Sequence, residues 1–293
     1  MASGNDMSLS VTDEKNIGGI KFRRVVANIV LIFLCILCLF WFYVLFVNAT
    51  RSKAQLTTGF TLIPGLYLFK NLNGAFHGVL PIWNGLFNSL VISAACAVLS
   101  TYFSTMTAYA IHAYDFKLKN IAFTGILMVM MIPTQVTALG LVRFMKQIGF
   151  DDTSIPLIVP SIAAPACFFY MKQYMDSTLP LAIIEAARID GSGEFRTFNT
   201  IALPMMKPAI SVQAIFTFVG TWNNYFTPAL ILHTEKRKTL PVLIAELRSM
   251  DFAKFDMGQV YATIAFSIFP VIVVYFALSK FIVQGVALGS VKG

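Results

Sequence analysis

From residue 25 to residue 47 the chain runs 23 residues without a charged side chain. At about 1.5 Å per residue a helix of that length is about 35 Å long, enough to cross a hydrocarbon core of about 30 Å. A secretory leader has an apolar region of only about 7–15 residues. The run is therefore read as a retained helix, although Val47, Asn48 and Ala49 weakly mimic a cleavage site. Lipid offers no water to unpaired backbone groups, so only helices and closed barrels cross it. No ten-residue alternation marks a barrel here. The expected fold class is an all-α integral membrane protein.

Composition agrees. The chain of 293 residues is 57% hydrophobic and 12% charged, against about a quarter charged in soluble domains. In a soluble protein the net charge of +8 would point to nucleic acid. Here the Lys and Arg residues flank apolar runs, where such residues anchor to headgroups. The partner they imply is the lipid bilayer, and no nucleic acid is expected.

Six spans are expected, at about 25–47, 87–111, 121–141, 155–174, 209–232 and 259–284. They divide the chain into an N-terminal tail (1–24), a first helix (25–47), an external loop (48–86), a five-helix core (87–284) and a C-terminal tail (285–293). The core contains a polar segment at 177–208 and an external loop at 233–258. Lys21, Arg23 and Arg24 lie just before the first span, which places the N-terminus in the cytoplasm. Six crossings return the C-terminus there. The whole-chain count barely discriminates, since twelve of the 22 basic residues fall inside on this topology.

Several spans carry polar signals. The second has Cys96, Ser100, Ser104 and Ala108 at four-residue spacing, a small-residue face that admits a close helix neighbour. The third contains Pro133 followed by Thr134 and Gln135. A proline frees a carbonyl, which a nearby polar side chain can satisfy while lining a cavity. The fifth contains Asn223, Asn224 and Tyr225. Adjacent amides at membrane depth are costly unless they face protein or water, so interhelical bonding and a solute path both remain open. In the 233–258 loop, Leu243, Ile244 and Leu247 form a short apolar stripe that could touch an external partner. Cys35 and Cys38 form C-x-x-C inside an unbroken apolar run. With no second pair and no nearby His, packing is expected rather than metal or redox chemistry.

The sequence contains no Walker A phosphate loop, no H-E-x-x-H and no intramembrane Asp, Glu and His relay, so it shows no energy source of its own. Either the chain is a facilitator or another subunit supplies the energy. A membrane enzyme has no acid–base or metal cluster to support it.

The segment "EAARIDGSGEFRTFNTIALPMMKP" at 185–208 is the most polar long stretch of the second half. Asp176, Ser177 and Thr178 offer N-caps and Pro180 suits a first helical turn. Gly191 sits where a left-handed C-cap belongs. Ser192 can cap a second short helix through about Ala202, with Leu203 and Pro204 ending it and Pro208 opening the fifth span. The residues alone leave two readings open, a loop pair resting on headgroups and a docking knob.

Glu185, Ala186 and Ala187, then Asp190, Gly191, Phe198, Ile201, Leu203, Pro204 and Pro208 match the EAA motif of ABC-importer permeases. "MIPTQV" at 131–136, "IGFDDTSIPLIVP" at 148–160, "WNNYFTPAL" at 222–230 and the terminal Val291, Lys292 and Gly293 extend the likeness over most of the chain. Together they resemble the MalG-type permeases of carbohydrate ABC importers. Ala182 and Ser192 depart from the common pattern, in which an acidic residue and an alanine are frequent. The resemblance implies a type I importer fold in a bacterial or archaeal cytoplasmic membrane. It also implies a second, MalF-like permease, two cytoplasmic ATPase subunits and an extracellular or periplasmic sugar-binding protein. No cofactor is expected in this chain; ATP and Mg belong to the ATPase subunits. By the same resemblance, Glu185, Ala186, Ala187, Arg188, Asp190 and Gly191 form the helix that couples to the ATPase. Val291, Lys292 and Gly293 are a second ATPase contact. From the adjacent amides themselves, not from the resemblance, Asn223, Asn224 and Tyr225 are expected on the translocation path. A permease for a non-sugar solute, or an energy-independent carrier, is the alternative.

Overall fold

The computed structural model describes residues 6–249 and 256–289. Those residues form helices and connecting turns in this order: α1 Asp6–Ala49, α2 Lys53–Thr57, α3 Leu68–Phe76, α4 Ile82–Ala113, α5 Lys119–Val129, α6 Thr134–Gln147 and α7 Ile155–Ile158. There follow a 3-10 turn at Val159–Ile162, then α8 Pro165–Thr178, α9 Leu181–Ile189, α10 Glu194–Thr197, a π-helical turn at Phe198–Ala202 and α11 Leu203–Met205. The last elements are α12 Lys207–Trp222, α13 Phe226–Ile231, a 3-10 turn at Glu235–Arg237, α14 Leu240–Ser249 and α15 Met257–Gly289.

The bundle is organised around α4, which packs against α12, α8 and α14. Its small polar residues make this possible. Cys96, Ser100, Ser104 and Ala108 are all buried, as their spacing predicts. Ser100 Oγ donates to Thr217 Oγ1 of α12 at 3.3 Å, and Ser104 Oγ donates to the Ala164 carbonyl at the start of α8, also at 3.3 Å. Thr101 and Thr105 return their hydroxyl protons to carbonyls four residues back, at 2.7 and 2.6 Å, so neither is left unpaired in an apolar setting.

Among the described residues, four segments are individually long and apolar enough to cross a membrane: Arg23–Ala49, Ile82–Ala113, Ile155–Thr178 and Met257–Phe281. The number reaches six where each of two bent helix pairs counts as one span. The expected third span, 121–141, is not one helix. It breaks after Val129, and α6 leaves α5 at 94°. Pro133 stands at the break with ψ 131°, since a proline lacks the N–H that would continue the helix. The expected fifth span, 209–232, also breaks, with α12 ending at Trp222 and α13 beginning at Phe226. Asn223, Asn224 and Tyr225 fill that gap.

The apolar stripe of α14 faces inward rather than toward an external partner. Leu243 is fully buried, with Ile244 and Leu247 packed beside it against Ile82, Phe218 and Trp222. Gly85 admits α14 this closely, because a Cβ there would lie 2.5 Å from Leu243 Cδ1. The α1 helix carries many exposed apolar side chains and docks near its end, where Ala49 and Leu45 meet Ala262 and Ala265 of α15 and Leu68 and Leu72 of α3.

A polar clasp joins the loop after α6 to the start of the 233–258 segment. Asp152 accepts from the His233 and Thr234 amides at 2.8 and 3.0 Å and from Thr234 Oγ1 at 2.6 Å. Arg237 Nη1 donates to the Asp152 carbonyl at 2.6 Å and contacts its carboxylate at 3.2 Å. Burial pushes the Asp152 carboxyl up, but the Thr234 and His233 hydrogen bonds and the Arg237 charge outweigh it and hold the group at about 2.

Candidate functional site

The motif segment folds as two legs joined by a tight turn. Its first leg, α9, starts at Pro180, whose φ of −62° and ψ of 135° make it the N-cap residue. Asp176, Ser177 and Thr178 do not cap α9; they are the last turn of α8. Asp176 is held there by Lys172 Nζ at 2.5 Å and by His112 Nδ1 at 2.8 Å. The other ring nitrogen of His112 lies 2.9 Å from the Leu179 carbonyl, so this histidine fastens the entry of the segment to α4.

The turn follows the expected chemistry. Gly191 has φ +76°, its amide bonds the Arg188 carbonyl at 3.0 Å, and the Ser192 amide reaches back to Ala187 at 2.9 Å. These are the two bonds of a Schellman cap. Nothing lies within 4 Å of a Cβ built at Gly191, so the left-handed backbone, not space, requires glycine here.

The second leg departs from expectation. Gly193, not Ser192, is its N-cap residue; the Ser192 hydroxyl instead accepts from Thr197 Oγ1 at 2.9 Å. Leu203 and Pro204 do not end the helix, which runs on to Met205 through the π-helical turn. The wider turn precedes Pro204, where an α-helical ladder would need an N–H that proline lacks. The chain then bends by 79° into α12.

Both legs are bolted to the bundle. Ile184, Phe198, Ala202 and Met206 are buried in one cluster with Tyr109, Met171 and Met175. The Phe198 ring meets Tyr102 at 5.7 Å and Tyr109 at 5.5 Å between centroids. Arg188 Nε donates to Glu194 Oε1 at 2.6 Å, and Arg188 Nη2 donates to the Ala113 carbonyl at 3.3 Å. The guanidinium also lies 5.3 Å from the Tyr114 ring centroid. Tyr109 Oη completes the network by donating to Glu194 Oε2 at 3.1 Å.

The expected coupling residues therefore separate. Glu185, Ala186, Asp190 and Gly191 are exposed, and Glu185 has no hydrogen-bond or ion-pair partner among the described residues. Ala187 is buried, on the inner face it shares with Ile184, so the close approach it permits is to its own bundle. Arg188 is engaged inside the chain. Three residues were missed in the sequence: Glu194, which pairs Arg188, and Ile189 and Phe195, exposed by 86% and 69%. Two large apolar side chains among the charged residues and glycines of 185–196 were the available signal.

The three expected path residues separate too. Asn223 and Tyr225 line a cavity of about 390 Å³ with Arg248 and Ser267. Asn224 lines a different one, of about 490 Å³, with Ser93, Thr134 and Thr239. Val291, Lys292 and Gly293 lie outside the described residues.

The family described as "Binding-protein-dependent transport system inner membrane component" matches residues 100–288. The arabinooligosaccharides transport system permease protein AraQ of Bacillus subtilis is 31% identical over 276 residues, covering 92% of this chain and 96% of that protein. The sn-glycerol-3-phosphate transport system permease protein UgpE of Yersinia enterocolitica is 31% identical over 264 residues, covering 88% and 94%. The fold matches a chain of a bacterial ABC transporter involved in the import of the acidic polysaccharide alginate, with TM-score 0.77, 22% identity, and 89% and 96% coverage. With 189 of its residues inside the family match, and with two relatives alike over nearly their whole length, this multi-pass membrane chain belongs to the inner-membrane permease components of binding-protein-dependent transport systems.

Proposed function

We propose that the chain is one of two permeases in a bacterial-type ABC importer for carbohydrate, crossing the cytoplasmic membrane six times with both termini inside. A second EAA-motif permease completes the path, two cytoplasmic ATPase subunits supply the energy with ATP and Mg, and an external binding protein delivers the solute. Segment 177–208 is the coupling element. What carries this reading is its construction: capped, bolted to α4 by Arg188, Glu194 and Phe198, and presenting an unpaired Glu185 on its outer face. A carboxylate left free on a rigid knob is poised to meet a basic residue of the ATPase, and Ile189 and Phe195 add apolar contact beside it. Val291, Lys292 and Gly293 form a second ATPase contact, and Asn223, Asn224 and Tyr225 line the solute path.

The carbohydrate assignment is supported by the AraQ relative and the alginate importer. The UgpE relative supports the second reading, a permease for a non-sugar solute.

The test is Glu185→Arg in the complete importer reconstituted with its ATPase and binding protein. The variant is expected in the membrane at normal level, with solute-stimulated ATP hydrolysis and uptake lost. Normal stimulation of hydrolysis in that variant would sink the coupling assignment.

A further inference from the structure

Past the end of α1 the chain does not simply rise from the membrane; it turns back along the helix. The buried Arg51 donates from Nη2 to the Gln55 carbonyl and, at 3.0 Å, to the Gly59 carbonyl. Gly59 turns the chain with φ +124°. The chain then runs down to α1, where Tyr43 Oη donates to the Leu62 carbonyl at 2.7 Å. It climbs back to Thr50, whose hydroxyl oxygen and carbonyl accept from the Gly65 and Tyr67 amides, each at 2.8 Å.

The Tyr43 bond sets the depth of this turn. Tyr43 precedes Ala49, the last residue of α1, by about 9 Å along the axis. Helical side chains also lean toward the N-terminus, so Leu62 lies about that far below the helix end or farther. The span Arg23–Ala49 has 27 residues, about 40 Å of helix, against a hydrocarbon core of about 30 Å. Centred, it overhangs the core by about 5 Å at each end. The turn at Leu62 therefore reaches the hydrocarbon boundary.

The side chains suit that level. Phe60, Ile63 and Leu66 are 70%, 76% and 98% exposed, and a cluster of large apolar side chains so placed marks a contact surface rather than a wet one. They continue the apolar surface of α1, where Trp41, Phe42 and Phe46 are exposed. No Asp or Glu occurs between Glu14 and Asp115, whereas Arg51, Lys53 and Lys70 are basic. Lys70 lies 5.6 Å from the Tyr67 ring centroid, a cation and an aromatic ring of the kind that anchor at headgroups. An acidic protein surface would match only the charge. A bilayer matches both the charge and the height of the apolar tips.

We propose that segment 59–70 is a wedge inserted into the leaflet at this end of α1, the outer one on the proposed topology. Phe60, Ile63 and Leu66 enter the acyl chains, and Lys70 meets an anionic phospholipid headgroup. The wedge ties α1 to the leaflet beside the place where it meets α15 and α3. The proposal needs α1 to cross the bilayer and is independent of the carbohydrate reading.

The test uses the complete importer with its native sequence, in nanodiscs that contain a phospholipid with a diazirine near the headgroup end of its acyl chain. Phosphatidylglycerol and phosphatidylcholine forms are compared at equal content. After illumination, trypsin cuts after Lys53 and Lys70 and releases residues Ala54 to Lys70 as one peptide. That peptide is expected to carry lipid adducts, which fragmentation places between Phe60 and Leu66. The peptide from Thr239 to Arg248, packed in the bundle through α14, is expected to carry none. Phosphatidylglycerol is expected to label the wedge up to about fivefold more than phosphatidylcholine, the effect of one basic residue at an anionic surface. Absence of adducts between Phe60 and Leu66 would mean that water or a neighbouring protein covers the segment, and overturns the proposal. Equal labelling by the two lipids overturns the headgroup contact of Lys70. Either failure would leave the Glu185→Arg test of coupling untouched.

Discussion

Asp152 concentrates the work of the polar clasp in one side chain, and its ionisation predicts how the clasp responds to acid. The folded carboxyl titrates at about 2, below its ordinary 3.8. A depressed folded value means the stabilisation is complete above the unfolded value and disappears as pH falls through the folded one. The melting temperature is therefore expected to drop between pH of about 4 and about 2, and to drop less over that window in Asp152→Asn, as a thermal denaturation series would read. Gly191 makes a different demand. Its φ of +76° is a left-handed backbone that costs an L residue about 1–2 kcal/mol. Gly191→Ala is expected to destabilise by about that amount while Glu185 stays exposed, and the measurement is thermal unfolding alongside uptake. Glycine at this turn was legible in the sequence because a backbone angle leaves little choice of residue. The role of Arg188 was not, because its partner Glu194 stands across the turn and no helical spacing links the two.

Among the elements, segment 177–208 depends on Phe198 and on the Arg188–Glu194 pair for its attachment. Phe198→Ala removes a buried ring between Tyr102 and Tyr109 and is expected to cost about 3–5 kcal/mol. Arg188→Glu alone should leave the segment loose and lower the ATP hydrolysis stimulated by solute. The double exchange Arg188→Glu with Glu194→Arg should recover part of it, which a double-mutant cycle would measure. Local sequence rules reached this element unevenly. They found α9 and its cap, because helix propensity and glycine act within a few residues. They misplaced its start, because Asp176 looks like an N-cap until His112 and Lys172, both bonded to it within the last turn of α8, are in view. They also pointed α14 outward: periodicity reports that Leu243, Ile244 and Leu247 share a face, not which surface covers it.

For the whole molecule, the proposed topology with both termini inside would set the segment of Ser192 and the clasp of Thr234 on opposite sides of the membrane. Single cysteines at those positions are expected to react with an impermeant maleimide from opposite sides, Ser192→Cys from the cytoplasm. Reaction of both from one side would overturn the six-span arrangement. The family was legible from the motif alone, since its glycine and prolines are tied to turns and bends. The cavity beside Asn224 was only half legible. Pro133 and the Asn223, Asn224 pair each marked a helix break, but their meeting depends on the 94° bend between α5 and α6, which no local pattern encodes. The α4 helix joins these distant parts. Tyr109, His112 and Ala113 near its C-terminal end hold segment 177–208, while Ser89, Ser93 and Cys96 nearer its start wall the cavity beside Asn224. Beyond Gly85 it contains neither glycine nor proline, the usual causes of a kink. Between those ends lie Thr101 and Thr105, whose hydroxyls bond carbonyls four residues back, a pattern that bends helices. In the proposed importer a push on segment 177–208 therefore reaches the cavity wall through α4 by way of that stretch, and its stiffness sets how much of the push arrives.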